Sequence, residues 1–386
     1  MTGTLRHCFV ALVLALALGP GSAAAAESDR RDAALDRALD ELVRMPGGPP
    51  GVVAAVQRGR EIKLHRAGVA EIGSPEPIKL RDHVRVASVA KAFSGYVALR
   101  LVSKGVLKLN DTVGELLTGT PPAWDGITLR QLLHHTSGIE SFIKDPEFQR
   151  YLLGHLTDYI SPYFAISFVF DDPLLFTPGT AYGYSNTDNH LIGLMVEAAT
   201  GRSYARNLAA QISKPLRLTD TSLPETDLTL PSPFARGYDV TPGDPPEDLT
   251  SVISPSSAWA SGAIVSSPRD MTRFIRSWAS GELLSKKARR AQLRFIPGDG
   301  EPPGPGENSV GLAIFRYRTG CGKFFGHSGN TPGYTNWVGA SKNGNRSVAV
   351  TATTQLTPTT GAPGVFDALR EAERLAACAA LAPRSR

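Results

Sequence analysis

The stretch Ser88-Val89-Ala90-Lys91 sets a hydroxyl and an amine three residues apart. It stands where an extended run, His83 to Ala87, gives way to apolar residues at helical spacing between Ala92 and Val102. Positions i and i+3 of a helix are neighbours, so the Lys91 amine reaches the Ser88 hydroxyl. A serine in the first turn also lies among open backbone N–H groups at the positive end of the helix dipole, where an oxyanion is stabilised. That is the arrangement of a nucleophile with a lysine as its base. Taken without its surroundings, Ser88 reads equally well as an ordinary helix cap with a solvated lysine one turn on. The same spacing recurs as Ser141-Phe142-Ile143-Lys144. This second copy follows Thr136-Ser137-Gly138, runs into Asp145-Pro146, and reads as a loop without chemical duty.

Two further motifs complete a reaction centre. Tyr184-Ser185-Asn186 follows the turn signal Thr177-Pro178-Gly179 and precedes a helix expected from Leu191 to Ala199. Tyr and Asn flanking one residue project from the same side of a loop. The phenol can pass a proton between nucleophile and leaving group, and the amide can hold the lysine head or a substrate carbonyl. A second Tyr-x-Asn, Tyr334-Thr335-Asn336, falls among the C-terminal strands. The third motif, Gly326-His327-Ser328-Gly329, leads into Asn330. Gly329 is expected to let a substrate backbone approach an edge strand, and the Asn330 N–H to join that of Ser88 in an oxyanion hole. The Gly-x-Ser-x-Gly turn of α/β-hydrolases is missed by one residue, because position 330 is Asn. His134 and His135 are adjacent and lack the spacing of a metal pair, so no metal and no cofactor is expected.

The elements that must position these groups alternate in kind along the chain. An amphipathic helix is expected over Asp32–Val43, and a strand pair at Gly51–Gln57 and Glu61–Ala67. Helical pattern runs from Ser88 to about Arg290, and a Gly/Pro stretch from Pro297 to Gly306 separates off a β-rich segment. Strands are expected at Ser309–Arg316, Lys323–Gly326, Thr335–Ala340 and Ser347–Thr354, and a helix at Val365–Ala380. The fold class expected is α/β of the α+β type. An antiparallel sheet is built from both termini (residues 30–87 and 308–382) and flanked by helices, and a mostly helical lobe, about 88–307, is inserted. Ser88 then opens the insertion, at a seam that favours a cleft.

Composition narrows the setting. Arg6 and His7 precede an apolar run, Cys8 to Leu18, and small residues from Ser22 to Ala26, so residues 1–26 read as a secretory leader cut after Ala26. The remainder, 27–386, is one hydrolase domain, expected outside the cytoplasm as a monomer without a membrane span. Past the leader two cysteines remain, Cys321 and Cys378, and an oxidising compartment invites one disulfide, worth about 4 kcal/mol through chain entropy. The net charge of +5 is spread along 386 residues without basic runs or basic–aromatic interleaving, which argues against nucleic acid as a partner.

In their order, Ser-x-x-Lys, Tyr-x-Asn and His-Ser-Gly resemble the serine β-lactamase and penicillin-binding protein family. The variant is most similar to class C β-lactamases and secreted D-alanyl-D-alanine carboxypeptidases, with His327 favouring the latter. Phe93-Ser94, Leu132–Gly138, Trp259–Phe274, Gly311-Leu312 and Ala340–Gly344 extend the resemblance over most of residues 30–380. It implies a secreted hydrolase that acylates Ser88, with Lys91 and Tyr184 managing protons. Asn186, His327, Ser328, Gly329 and Asn330 would bind substrate, a small molecule or peptidoglycan peptide, with β-lactams as acylating ligands. It also supports the Cys321–Cys378 pairing. One departure matters: where these carboxypeptidases grip the peptide carboxylate with an arginine, this chain has Phe315. Arg316 is next to it but faces the opposite side of a strand. An esterase or D-amino-acid amidase on the same scaffold, or a non-enzymatic β-lactam- or wall-binding domain, are the other readings.

Overall fold

The computed structural model describes residues 20–359 and 361–382. The charged and apolar parts of the expected leader lie outside the described residues. The amphipathic helix is longer than expected: α1 spans Pro20–Arg44, so the cleavage point after Ala26 falls within it. Among the described residues no helix is long and apolar enough to cross a membrane.

Alternation builds the sheet. In β1 (Gly51–Arg58), Val52, Ala54 and Val56 bury toward one face, while Val53 and Ala55 bury toward the other. A strand buried on both faces belongs at the centre of a layered stack. β2 (Glu61–Gly68) folds back on it around a tight turn at Gly59. The other strands are β3 (Ile296–Pro297), β4 (Asn308–Gly311), β5 (Ile314–Arg318), β6 (Lys323–Thr331), β7 (Tyr334–Ala340) and β8 (Arg346–Ala352). The order is β2-β1-β8-β7-β6-β5-β4-β3, all antiparallel. β1 pairs with β8, Val52 opposite Ala352, so both ends of the chain meet inside one sheet as expected.

One face is covered by α1 and by α5 (Val365–Ala380). Leu35, Leu39 and Leu42 meet Leu369, Ala372 and Ala376 over Val52, Val350 and Trp337. On the other face lie α2 (Ala90–Ser103) and α4 (Pro268–Ser280), with Phe93 stacked on Phe274 at 3.5 Å. Each such buried side chain contributes about 1.5–3 kcal/mol. α4 comes from the middle of the chain yet packs on the sheet, within the same core as Val53 and Ala349.

Four local expectations change. Ser309–Arg316 is a hairpin of β4 and β5, because Ala313 takes φ +50° and turns the chain. The extended run before Ser88 is a strand only at Val84–Arg85, and Ala87 is left-handed at φ +51°. Ser88 therefore sits in a 3-10 turn, Ala87–Val89, that feeds α2. Finally, α3 begins at Asn186 and runs to Thr200, so the Tyr-x-Asn motif is a helix entrance. Cys321 and Cys378 are brought to disulfide distance, Cα 5.3 Å apart, tying the β5–β6 loop to α5.

Candidate active site

Turning the chain into α2 through a 3-10 turn places Lys91 one turn beyond Ser88, with its amine drawn inward. Lys91 Nζ lies 3.0 Å from Ser88 Oγ, 2.7 Å from Asn186 Oδ1 and 2.9 Å from the Ser261 carbonyl oxygen. Burial lowers the lysine pKa to about 7, with only Asp188 pulling it back up. As an ammonium it donates to all three oxygens. As a neutral amine its two N–H groups still serve Asn186 and Ser261, and the lone pair is left facing the Ser88 hydroxyl. A base near neutrality with its lone pair aimed at the nucleophile follows from those two acceptors.

Tyr184 complements it. Its ring centroid is 5.1 Å from the Lys91 amine, and its hydroxyl is buried. Burial raises the phenol pKa above its ordinary value; the Ser88 hydroxyl beside it pulls weakly the other way without reaching hydrogen-bond geometry. Tyr184 thus keeps its proton where Lys91 loses one, and the two environments separate an acid from a base.

Asn186 is held by a residue to which the sequence assigned no duty. Ser141 Oγ accepts from both the Asn186 backbone N–H and its Nδ2, each at 3.0 Å, inside a buried contact. Those bonds fix which end of the amide is oxygen, and that oxygen meets Lys91. The second Ser-x-x-Lys copy, expected to be idle, therefore sets the ligand of the first copy's lysine. Thr187 Oγ1 donates to the Glu140 carbonyl at 2.6 Å and accepts from the Phe142 N–H at 3.1 Å, zipping the two segments together.

The third motif lies on β6. β5 pairs only with Lys323–Gly326, so His327–Thr331 projects past it as a local edge. Gly329 makes room for the nucleophile's own turn: a methyl group there would stand 2.4 Å from the Val86 oxygen and 2.8 Å from the Ser88 nitrogen. Glycine is needed because the turn carrying the nucleophile presses on the strand. His327 Nδ1 lies 2.6 Å from the Ser328 carbonyl oxygen, which assigns the proton to Nδ1 and leaves Nε2 an acceptor. Burial drives the imidazole pKa down to about 3, so the ring is neutral. Tyr184 Oη, His327 Nε2, Ser328 Oγ and Asn330 Oδ1 are buried without a hydrogen-bond partner among the described residues. Tyr184 and His327, ring centroids 6.2 Å apart, bring two of these atoms together beside the nucleophile, where a substrate's polar groups can be received.

Phe315 packs 5.0 Å from His327 and 6.5 Å from Tyr184, in the wall of the site. Arg316 points away as strand alternation requires, its Nε donating to Ser309 Oγ at 3.0 Å and its guanidinium over Phe295. With Arg318 it lines a separate groove, so neither replaces the missing arginine. Behind Lys91, Asp188 accepts from Ser137 Oγ at 2.6 Å and contacts His135 Nδ1 at 2.8 Å, all buried. The aspartate two residues past Asn186, in the polar first turns of α3, was the available signal for this cluster. The Gly/Pro stretch expected only to separate segments is instead docked beside the site: Tyr182 and Tyr317 donate to the Glu301 and Pro302 carbonyls at 2.7 and 3.0 Å. His134 bonds the Val310 carbonyl, and no group of metal-ligating side chains is found among the described residues.

Comparison with known proteins places the chain in a family. A family model described as Beta-lactamase matches residues 35–373. A D-stereospecific amidohydrolase from Streptomyces sp. is 31% identical, with 89% of this chain and 98% of that one covered at a TM-score of 0.77. The D-amino acid amidase from Ochrobactrum anthropi SV3, complexed with L-phenylalanine amide, shares the fold at 24% identity, 91% and 98% coverage and a TM-score of 0.79. Penicillin-binding protein 4* of Bacillus subtilis (strain 168) is 27% identical over 306 residues, 74% of this chain. The chain spans 64% of that relative's length.

Proposed function

The chain belongs to the Beta-lactamase family of serine hydrolases, and on that premise we propose that it cleaves amide or ester bonds of D-configured aminoacyl substrates. Peptides ending in a free carboxylate are not its preferred class. The proposed steps begin with the Ser88 hydroxyl giving its proton to neutral Lys91 as Oγ attacks the carbonyl carbon. The Ser88 N–H and a β6 N–H, that of Asn330, hold the oxyanion. Tyr184 gives its proton to the departing amine or alcohol as its bond to the carbonyl breaks and recovers one from Lys91, which becomes a neutral amine again. Water, activated by the same lysine, then releases the acid and restores Ser88.

The observation that carries the substrate class is the wall opposite Ser88. Phe315 occupies the place of a carboxylate-gripping arginine, and the neighbouring His327 is neutral with its open nitrogen an acceptor. A carboxylate would meet an aromatic edge and a lone pair there. An uncharged amide N–H suits an acceptor nitrogen. The D-stereospecific relative from Streptomyces supports the configuration. Reaction with β-lactams, which present a strained amide, fits the same centre and the likeness to a penicillin-binding protein. Export, with the cysteine pair oxidised, belongs to this reading.

The test compares kcat/KM for a D-alanyl amide or ester with that for the matching D-alanyl peptide bearing a free carboxylate. A charge-assisted contact is worth about 1.5–3 kcal/mol, so an enzyme that grips the carboxylate favours the acid tenfold or more. Rates within a few-fold, and a clear preference for the D over the L series, are expected. A tenfold preference for the free acid would overturn the substrate class.

A further inference from the structure

Away from Ser88, beside the C-terminal end of α2, the surface opens into a groove of about 690 Å³. The helix has 14 residues, so this groove lies roughly 20 Å from the nucleophile along its axis. Lys108, Arg130, Lys287, Arg290 and Arg294 line it, over a floor that includes Leu107 and Leu109, and no acidic residue takes part. These five cations equal the net charge of the entire chain. None of them makes an ion pair among the described residues. Elsewhere several arginines find carboxylates: Arg81 on Asp220, Arg236 on Glu71 and Asp248, Arg374 on Glu371. Arg130 is half-buried, and both its burial and the adjacent Arg294 work against its charge. Like charges gathered in a concavity repel one another and focus a field that attracts anions.

We propose that this groove binds a phosphate-bearing polyanion, a flexible chain of phosphate groups, and so holds the enzyme on an anionic polymer. Guanidinium forks match phosphate oxygens two at a time. Five cations spaced around an open groove exceed what a single phosphate contacts, which requires several linked anions. Nucleic acid is disfavoured because no aromatic side chain lines the groove to stack a base. A flat bilayer would meet the rim but not recessed Arg130.

The test titrates the full-length protein with inorganic polyphosphate, following binding by calorimetry at several salt concentrations. Three to five phosphate contacts give a slope of about −2 to −3.5 in log K against log salt. The triple variant Lys108→Ala, Lys287→Ala, Arg290→Ala is expected to bind at least tenfold more weakly, with turnover of a small ester unchanged. Should the triple variant lose turnover, Lys287→Gln alone is expected to weaken binding at least twofold. Undiminished binding by these variants would overturn the proposal. So would orthophosphate matching the polymer, or tighter binding of oligothymidine or of anionic phospholipid vesicles. None of these outcomes depends on which substrate Ser88 attacks.

Discussion

Two copies of one spacing, Ser88-x-x-Lys91 and Ser141-x-x-Lys144, sit in 3-10 turns of the same chain and do opposite things. In the first, the turn feeds a buried helix, the lysine is drawn in, and amine and hydroxyl meet at 3.0 Å. In the second, the turn passes through Asp145 into a separate helix, Pro146–Gly154, Lys144 stays exposed, and the serine turns inward to Asn186. The difference is the fate of the amine. A buried lysine with two fixed acceptors loses its charge near neutral pH and becomes a base; an exposed one remains a solvated cation.

Substitutions test that contrast. Ser88→Ala should remove acylation altogether, by on the order of 10⁴–10⁶-fold, with no adduct by intact mass after incubation with a penicillin or an activated ester. An adduct persisting in that variant would move the nucleophile elsewhere. Lys91→Ala and Tyr184→Phe should each cost about 10²–10⁴-fold, and less than additively together if they form one relay; a double-mutant cycle in pre-steady-state acylation decides. Because burial lowers the Lys91 pKa to about 7, the neutral base appears as pH rises, so acylation should climb through about pH 7. A rate flat between pH 5 and 9 would contradict this. Ser141→Ala leaves the Asn186 amide without its anchor, a loss of about 1–3 kcal/mol. It should lower kcat roughly tenfold at unchanged KM and shift the pH midpoint, which a merely structural role would not do. Lys144→Ala should stay within about twofold in kcat/KM, the smallest effect of all. If it matched Ser141→Ala, the second copy would be acting as a pair after all.

Much of this was legible beforehand because it rests on local pattern. Val365–Ala380 was readable from its apolar spacing, and β1 and β2 from the tight turn between them. Ser88 and Lys91 were legible because one turn of helix suffices to join them. Ser141 was not, since its duty depends on a partner 45 residues away, and the loop expected around it is a 3-10 turn leading into the helix Pro146–Gly154. The hairpin at Leu312-Ala313 was hidden because a left-handed alanine carries no composition signal. Gly329 was noticed as a place of close backbone approach, but its contact with the Val86 and Ser88 backbone depends on a turn about 240 residues earlier, which no local pattern reveals.

The pairing of β1 with β8 has a consequence for how the protein comes into being. Val52 finds its partner only at Ala352, about 300 residues further along. At roughly 5–20 residues per second of synthesis that is a wait of about 15–60 s. Through that interval the first hairpin has an open edge and apolar surface that can pair with other chains. Because the turn bearing Ser88 closes only against Gly329, a ribosome-bound fragment short of β6 holds a serine and a lysine but no finished centre. Hydrolysis begins only after the last strands have been made.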